Sequence, residues 1–160
     1  MLGLKQFSTI CLCLLAIDVN ADLSGTALIV DGDTITISGN KIRLSGIDTP
    51  ERDQTCKRAG ITWRCGYEAT ETLRNWTYTK EVRCIGDTKD RYGRLIANCF
   101  VDGYNVNARL VYEGLALAYR KYSKQYVPEE DKARAAKRGM WAGEFVPPWD
   151  WRKSKRLALE

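Results

Sequence analysis

There is no histidine among the 160 residues. That absence removes Ser-His-Asp triads, Cys-His pairs, histidine-ligated zinc and any histidine general base. Catalysis, if there is any, must run on carboxylates, arginines, lysines, tyrosines or a metal ion. Proline is scarce, with four residues. Long apolar runs are missing except near the start, where Ile10 to Ile17 reads Ile-Cys-Leu-Cys-Leu-Leu-Ala-Ile. That run is far short of the roughly 20 residues that cross a bilayer. Lys5 before it and Val19-Asn20-Ala21 after it give a positive start and a small-residue cleavage pattern. Residues 1–21 are therefore expected to be an export signal, 22–150 a single domain, and 151–160 a basic tail. The expected destination is secreted or periplasmic, with no stable membrane association once the signal is gone.

Six cysteines are present, and Cys11 and Cys13 fall in the signal. The remaining four, Cys56, Cys65, Cys84 and Cys99, suit two disulfides in an exported domain. No Cys-x-x-Cys spacing supports zinc. Four cysteines allow three pairings. The favoured set is Cys56–Cys65 across a short loop and Cys84–Cys99 across a hairpin. The formal charge is +5, and losing Lys5 and Asp18 with the signal leaves it unchanged. A modest basic balance suits a polyanionic partner.

Strands come first. Ala27 to Val30 is apolar and stops at Asp31-Gly32. Thr34 to Ser38 alternates, with Ile35 and Ile37 on one face. Gly39-Asn40 reads as a turn, and Lys41 to Leu44 returns with Ile42 and Leu44 inward. Ile47 to Gly66 reads as loop. Tyr67 to Tyr78 has helical period through Ala69, Leu73 and Trp76. Glu81 to Ile85 and Leu95 to Val101 read as strands joined by a polar connector, Gly86 to Arg91. Asn107 to Glu113 reads as a short helix. Another starts at Pro128 with acids in its first turn. Pro147-Pro148 is expected to end regular structure. The pattern predicts an α+β domain, a small β-barrel with about three helices.

Two acid clusters follow apolar strands: Asp31-Gly32-Asp33-Thr34 and Asp48-Thr49-Pro50-Glu51. A hairpin between them would bring Asp33, Asp48 and Glu51 together. Neighbouring carboxylates repel unless a cation neutralises them, and all-oxygen ligation selects a hard ion, calcium or magnesium. Arg43 lies between the clusters, and Arg94 closes Asp90-Arg91-Tyr92-Gly93-Arg94. Guanidinium groups grip phosphate oxygens in pairs and neutralise charge growing at phosphorus. Tyr92, Tyr119 and Tyr122 sit beside basic residues, where rings can stack on bases.

Taken in order, Val30-Asp31-Gly32-Asp33-Thr34, Arg43-Leu44, Asp48-Thr49-Pro50-Glu51, Asp90-Arg91-Tyr92-Gly93-Arg94, Val106-Asn107 and Glu113-Gly114-Leu115-Ala116 resemble the staphylococcal nuclease family from about Gly25 to Trp141. The resemblance implies a five-stranded OB-type barrel and Ca²⁺-dependent hydrolysis of DNA and RNA that leaves 3′-phosphates. It implies Asp33, Asp48 and the Thr49 carbonyl as calcium ligands, with Asp31 supporting them. Glu51 would be the base or water-positioning group, and Arg43 and Arg94 the phosphate arginines. Arg91 and Tyr92 would contact a terminal phosphate, and Tyr119 and Tyr122 would border the base pocket. The Gly86–Lys89 connector is shorter than in the best-known member, and the spacing after Tyr119 differs. Two other readings remain at this point: a catalytically weak OB-type nucleic-acid-binding module, and a disulfide-stapled interaction domain. A monomer is expected.

Overall fold

The computed structural model describes residues 21–158, so the expected signal lies outside the described residues except for Ala21. A meander opens the fold, with β1 (Ala21–Ile29), β2 (Thr34–Ile37) and β3 (Asn40–Leu44) paired antiparallel in sequence. The β2–β3 turn residues are Ser38 and Gly39, both at positive φ. That is the backbone signature of a tight two-residue hairpin. Asn40 therefore opens β3 and is not part of the turn. Ile35, Ile37, Ile42 and Leu44 all point into the core, as the alternation predicts.

The segment expected to be a loop carries more structure than that. β4 (Ile47–Asp48) is followed by a hairpin of β5 (Cys56–Arg58) and β6 (Ile61–Trp63). The hairpin is stapled by the Cys56–Cys65 disulfide. Cys65 is also the first residue of α1 (Cys65–Thr77), which buries Ala69, Thr70 and Leu73 on one face.

β7 (Glu81–Lys89) and β8 (Leu95–Val101) follow, crossed by the Cys84–Cys99 disulfide. Gly86 to Lys89, read from sequence as a connector, belongs to β7. The ladder with β8 breaks between Ile85 and Thr88 and then resumes. A bulge lets a strand bend while it keeps its partner. Gly86 suits that bend, because a Cβ there would sit 2.1 Å from the Ile96 carbonyl oxygen.

β8 also pairs in parallel with β3, Ile42 opposite Leu95 and Arg43 opposite Ile96. This closes five strands into a ring in the order β3-β2-β1-β7-β8. The chain continues through β9 (Tyr104–Asn105), α2 (Val106–Tyr112), β10 (Leu117–Ala118) and α3 (Val127–Ala135). A short 3₁₀ turn follows at Gly139–Ala142. β10 pairs with β4 and fastens the helical half to the second acid cluster.

Regular structure does not stop at Pro147-Pro148. Pro148 is the first residue of α4 (Pro148–Leu157), with Asp150 in the first turn and Lys155 and Arg156 in the last. Proline at that position lacks only a donor the helix would leave unpaired, and its fixed φ is already helical. The residues expected to form a basic tail are thus largely a fourth helix. Its route is fixed upstream: Lys57 and Glu144 exchange backbone hydrogen bonds of 2.8 and 2.9 Å, and Gln54 Nε2 donates to the Val146 carbonyl at 2.7 Å.

Candidate active site

The two acid clusters meet. A Cβ on Gly32 would lie 2.7 Å from Thr49 Oγ1, so the first turn packs directly on the second. Asp33 Oδ2 accepts from the Thr49 amide at 3.0 Å and the Thr49 hydroxyl at 3.1 Å. Asp31 Oδ1 accepts from the Asp33 amide at 3.0 Å and shapes the turn. Burial raises the Asp31 pKa against the opposing effects of Thr34, Arg43 and Arg94. Asp48 is fully buried, and Glu51 lies half-buried at the surface. Glu51 is held by its backbone: its amide donates to Gln54 Oε1 at 3.2 Å, and its carbonyl accepts from the Gln54 amide at 2.8 Å.

Arginines link these carboxylates in pairs. Arg43 forms an ion pair with Asp33 and donates from Nη2 to Asp48 Oδ1 at 3.0 Å. Burial lowers the Arg43 pKa, with Asp48 acting against it. Arg94 comes from the turn before β8. Asp90 takes its Nε at 2.7 Å, which leaves Nη1 to donate to Thr34 Oγ1 at 3.2 Å, next to Asp33. The parallel β3–β8 pairing therefore brings Arg43 and Arg94 to the same end of the barrel. Asp90 feels burial, but its hydrogen bonds from Arg94 and Tyr92 outweigh it and hold the carboxyl below its ordinary range.

The residues expected around the substrate lie in two places. Arg91 and Tyr92 are exposed on the Arg94 turn, with Arg91 Nη2 donating to the Tyr92 hydroxyl at 2.6 Å. Both Arg91 and Arg94 lie over the Tyr92 ring. Tyr119 follows β10 near Asp48. Burial and the Asp48 charge raise its pKa, and Arg152 opposes them. Tyr122 meets Tyr119 edge-on at 4.8 Å. The two tyrosines are thus neighbours in spite of the altered spacing.

Sequence reasoning missed a third arginine. Arg152, on α4, donates from Nη2 to Asp48 Oδ2 at 2.7 Å and from Nη1 to Asp48 Oδ1 at 3.1 Å. Nη1 also donates to Glu51 Oε1 at 2.9 Å. Burial pulls the Arg152 pKa down, but the bonds to Asp48 and Glu51 outweigh it and the value lies above that of ordinary arginine. Trp149, one turn earlier, stacks on Tyr119 with ring centres 5.6 Å apart and planes 4° from parallel. The available signals were proline at a helix start, an acid in the first turn and bases in the last. Asp90 was likewise read only as part of a motif and not as the anchor of Arg94.

The donor set suits a hard divalent cation. Asp33 and Asp48 offer buried carboxylate oxygens, with the Thr49 backbone between them and Glu51 adjacent. All four Cys outside the expected signal are tied up in disulfides, so no soft ligand competes. Among the described residues, no three acidic or thiol side chains stand close enough to form a ready-made cluster. The three carboxylates meet through the guanidinium groups of Arg43 and Arg152 and not directly. The oxygen chemistry still fits calcium or magnesium.

A family model described as "Staphylococcal nuclease homologue" matches residues 41–143. The chain is 30% identical over 175 residues to a micrococcal nuclease of Shigella flexneri, covering 98% of this chain and 95% of that one. It is 34% identical over 139 residues to an uncharacterized endonuclease of Haemophilus influenzae, covering 82% and 73%. It is 34% identical over 119 residues to staphylococcal-like nuclease CAN1 of Arabidopsis thaliana, covering 72% of this chain and 34% of that longer one. With the closed barrel and the order of its site residues, this match places the chain in the staphylococcal nuclease family of hydrolases acting on nucleic acid.

Proposed function

We propose that the protein is a secreted or periplasmic, calcium-dependent nuclease that hydrolyses phosphodiester bonds of DNA and RNA to leave 3′-phosphates, acting as a monomer. The observation that carries the reading is the meeting of Asp33, Asp48 and Glu51 with Arg43 and Arg94 at one end of the barrel. The two disulfides support an oxidising destination.

Asp33, Asp48 and the Thr49 carbonyl would hold the cation, with Asp31 shaping the turn that presents Asp33. A bound cation would supply Lewis acidity toward the scissile phosphate and a more acidic water. The chain's own groups carry the rest. Glu51 takes a proton from water at its carboxylate, and the water oxygen bonds to phosphorus. The bond from phosphorus to the 5′ oxygen breaks, that oxygen takes up a proton from solvent, and Glu51 returns its own proton to solvent. Arg43 and Arg94 grip the non-bridging oxygens, where charge grows in the transition state. Asp90 positions Arg94 by occupying its Nε while Thr34 takes Nη1, which leaves Nη2 to face phosphate. Arg91 and Tyr92 receive a flanking phosphate, and Tyr119 and Tyr122 border a base.

The test is a gel of plasmid DNA and of RNA incubated with purified protein and calcium chloride, against a chelator control. Loss of intact nucleic acid in the calcium lanes alone, abolished by Glu51→Gln, is expected. Intact substrate with calcium present, together with a shifted band for bound strand, would reassign the protein as a binding module.

A further inference from the structure

Two side chains of α4 lie where ligands of the proposed reaction would bind. Asp48 can accept about four hydrogen bonds. Oδ1 already accepts from Arg43 and Arg152, and Oδ2 accepts from Arg152. Arg152 Nη1 reaches Glu51 as well, so one guanidinium spans the buried carboxylate and the surface one. One turn away, Trp149 lies flat on Tyr119, in the arrangement a nucleobase takes on an aromatic ring. Both residues project from the first two turns of the same helix, so they engage or release as a unit.

We propose that α4 is a built-in competitor of the active site: Arg152 holds the carboxylate oxygens that a divalent cation would take, Trp149 covers the tyrosine face that a base would take, and both withdraw when cation and strand bind. The proposal rests on the reading of Asp48 and Glu51 given above. A guanidinium within 3 Å of Asp48 repels a second cation and uses the lone pairs that cation needs. Coupling of this kind is reciprocal, so a cation that is weakened by Arg152 must in turn weaken Arg152.

The attachment of α4 suits release. Its one fully buried residue is Pro148, at the very start, and Trp149 beside it packs half-buried against the cluster of Cys56, Cys65, Leu117 and Met140, so the hold is confined to the first turn and the Arg152 contacts. Lys153 to Leu157 are exposed, and the ion pair of Lys155 with Asp53 at 3.6 Å lies in solvent. A helix held by one end and one face belongs to the low-stability part of a structure. The preceding strand bridge at Lys57 and Glu144 stays outside the site, so it serves as a fixed tether.

The test uses the full exported chain. Calcium chloride is titrated calorimetrically into wild type, Arg152→Ala, Arg152→Lys and Asp48→Asn, with circular dichroism to verify folding. Arg152→Ala is expected to bind calcium about tenfold more tightly, within the usual 5–150-fold span of coupling effects. Arg152→Lys should fall between, because an ammonium cannot grip both Asp48 oxygens in fork geometry. Hydrogen exchange of wild-type α4 should quicken when calcium is added, while that of β8 should not. Equal or weaker calcium binding by a folded Arg152→Ala overturns the competitor, while loss of binding in Asp48→Asn would leave the cation reading standing. If wild type and Arg152→Ala both bind no calcium, cation reading and competitor fall together. If Arg152→Ala fails to fold, Arg152→Lys and wild-type exchange decide: unchanged affinity with unchanged exchange overturns the proposal.

Discussion

Replacing Gly66 by alanine should cripple turnover while leaving the barrel folded. Gly66 is the second residue of α1, and a Cβ there would sit 1.7 Å from the Glu51 carbonyl oxygen. Real Cβ contacts essentially never fall below 3.0 Å, so the two segments must part by at least 1.3 Å, the difference between those distances. The helix cannot easily retreat, because its neighbour Cys65 is bridged to Cys56. The loop carrying Glu51 must move instead. Forced insertion of a methyl group into tight packing costs about 1–3 kcal/mol. At this size each kcal/mol lowers the melting temperature by about 4 °C, so a drop of about 4–12 °C is expected. A shift of about 1 Å in a catalytic group costs about 10²-fold in rate. The assay is kcat on a defined oligonucleotide with saturating calcium, beside thermal melting. Gly103→Ala is the control. Its φ of +79° strains any side chain, but a Cβ there meets nothing within 4 Å. It should lose about 1 kcal/mol of stability and keep its kcat. A folded Gly66→Ala with kcat within twofold of wild type would refute the reasoning.

Arg94→Ala should lose about 10²–10³ in kcat, the usual toll for removing one transition-state donor. Asp90→Asn should lose less and be read in the same assay, because it only loosens the grip on Arg94 Nε. Asp31→Asn should melt a few degrees higher at pH 7 in chelator. The folded pKa of Asp31 is raised, so its stabilising protonated form is present below the unfolded value and lost as pH rises. The advantage of the amide should therefore vanish below about pH 4, where the acid is protonated in both states; a pH series of melting curves checks this. Replacing Cys84 and Cys99 together by alanine opens a loop spanning 15 residues. It should cost about 3 kcal/mol in urea unfolding, and a loss under 0.5 kcal/mol would remove the bridge from the list of stabilising features.

The barrel was readable because its strands obey local rules. Ile35, Ile37, Ile42 and Leu44 alternate cleanly, and all are buried. Asp33 and Asp48 stand at strand ends in sequence and in space. What escaped had causes outside its own segment. The β5–β6 hairpin carries exposed Lys57, Arg58 and Ile61, so no apolar alternation announces it. A disulfide and the backbone of Glu144 hold it instead. The last residues of β7 are polar, and only their partner β8 makes them a strand. Arg152 lies 104 residues from Asp48. No local pattern encodes such a pairing, and two prolines that favour a helix start were read as a stop.

The parallel contact between β3 and β8 has a consequence for when the enzyme comes into being. It joins Ile42 to Leu95, across 53 positions of chain, and it is the seam that shuts the cylinder. Arg94 immediately precedes that seam. Until it zips, Arg94 has no defined address relative to Arg43, however well formed the opening meander is. A slip of a single position would turn every side chain of the strand to the opposite face and send the guanidinium away from its partner. On the proposed roles of Arg43 and Arg94, competence for cutting arrives only with the finished cylinder.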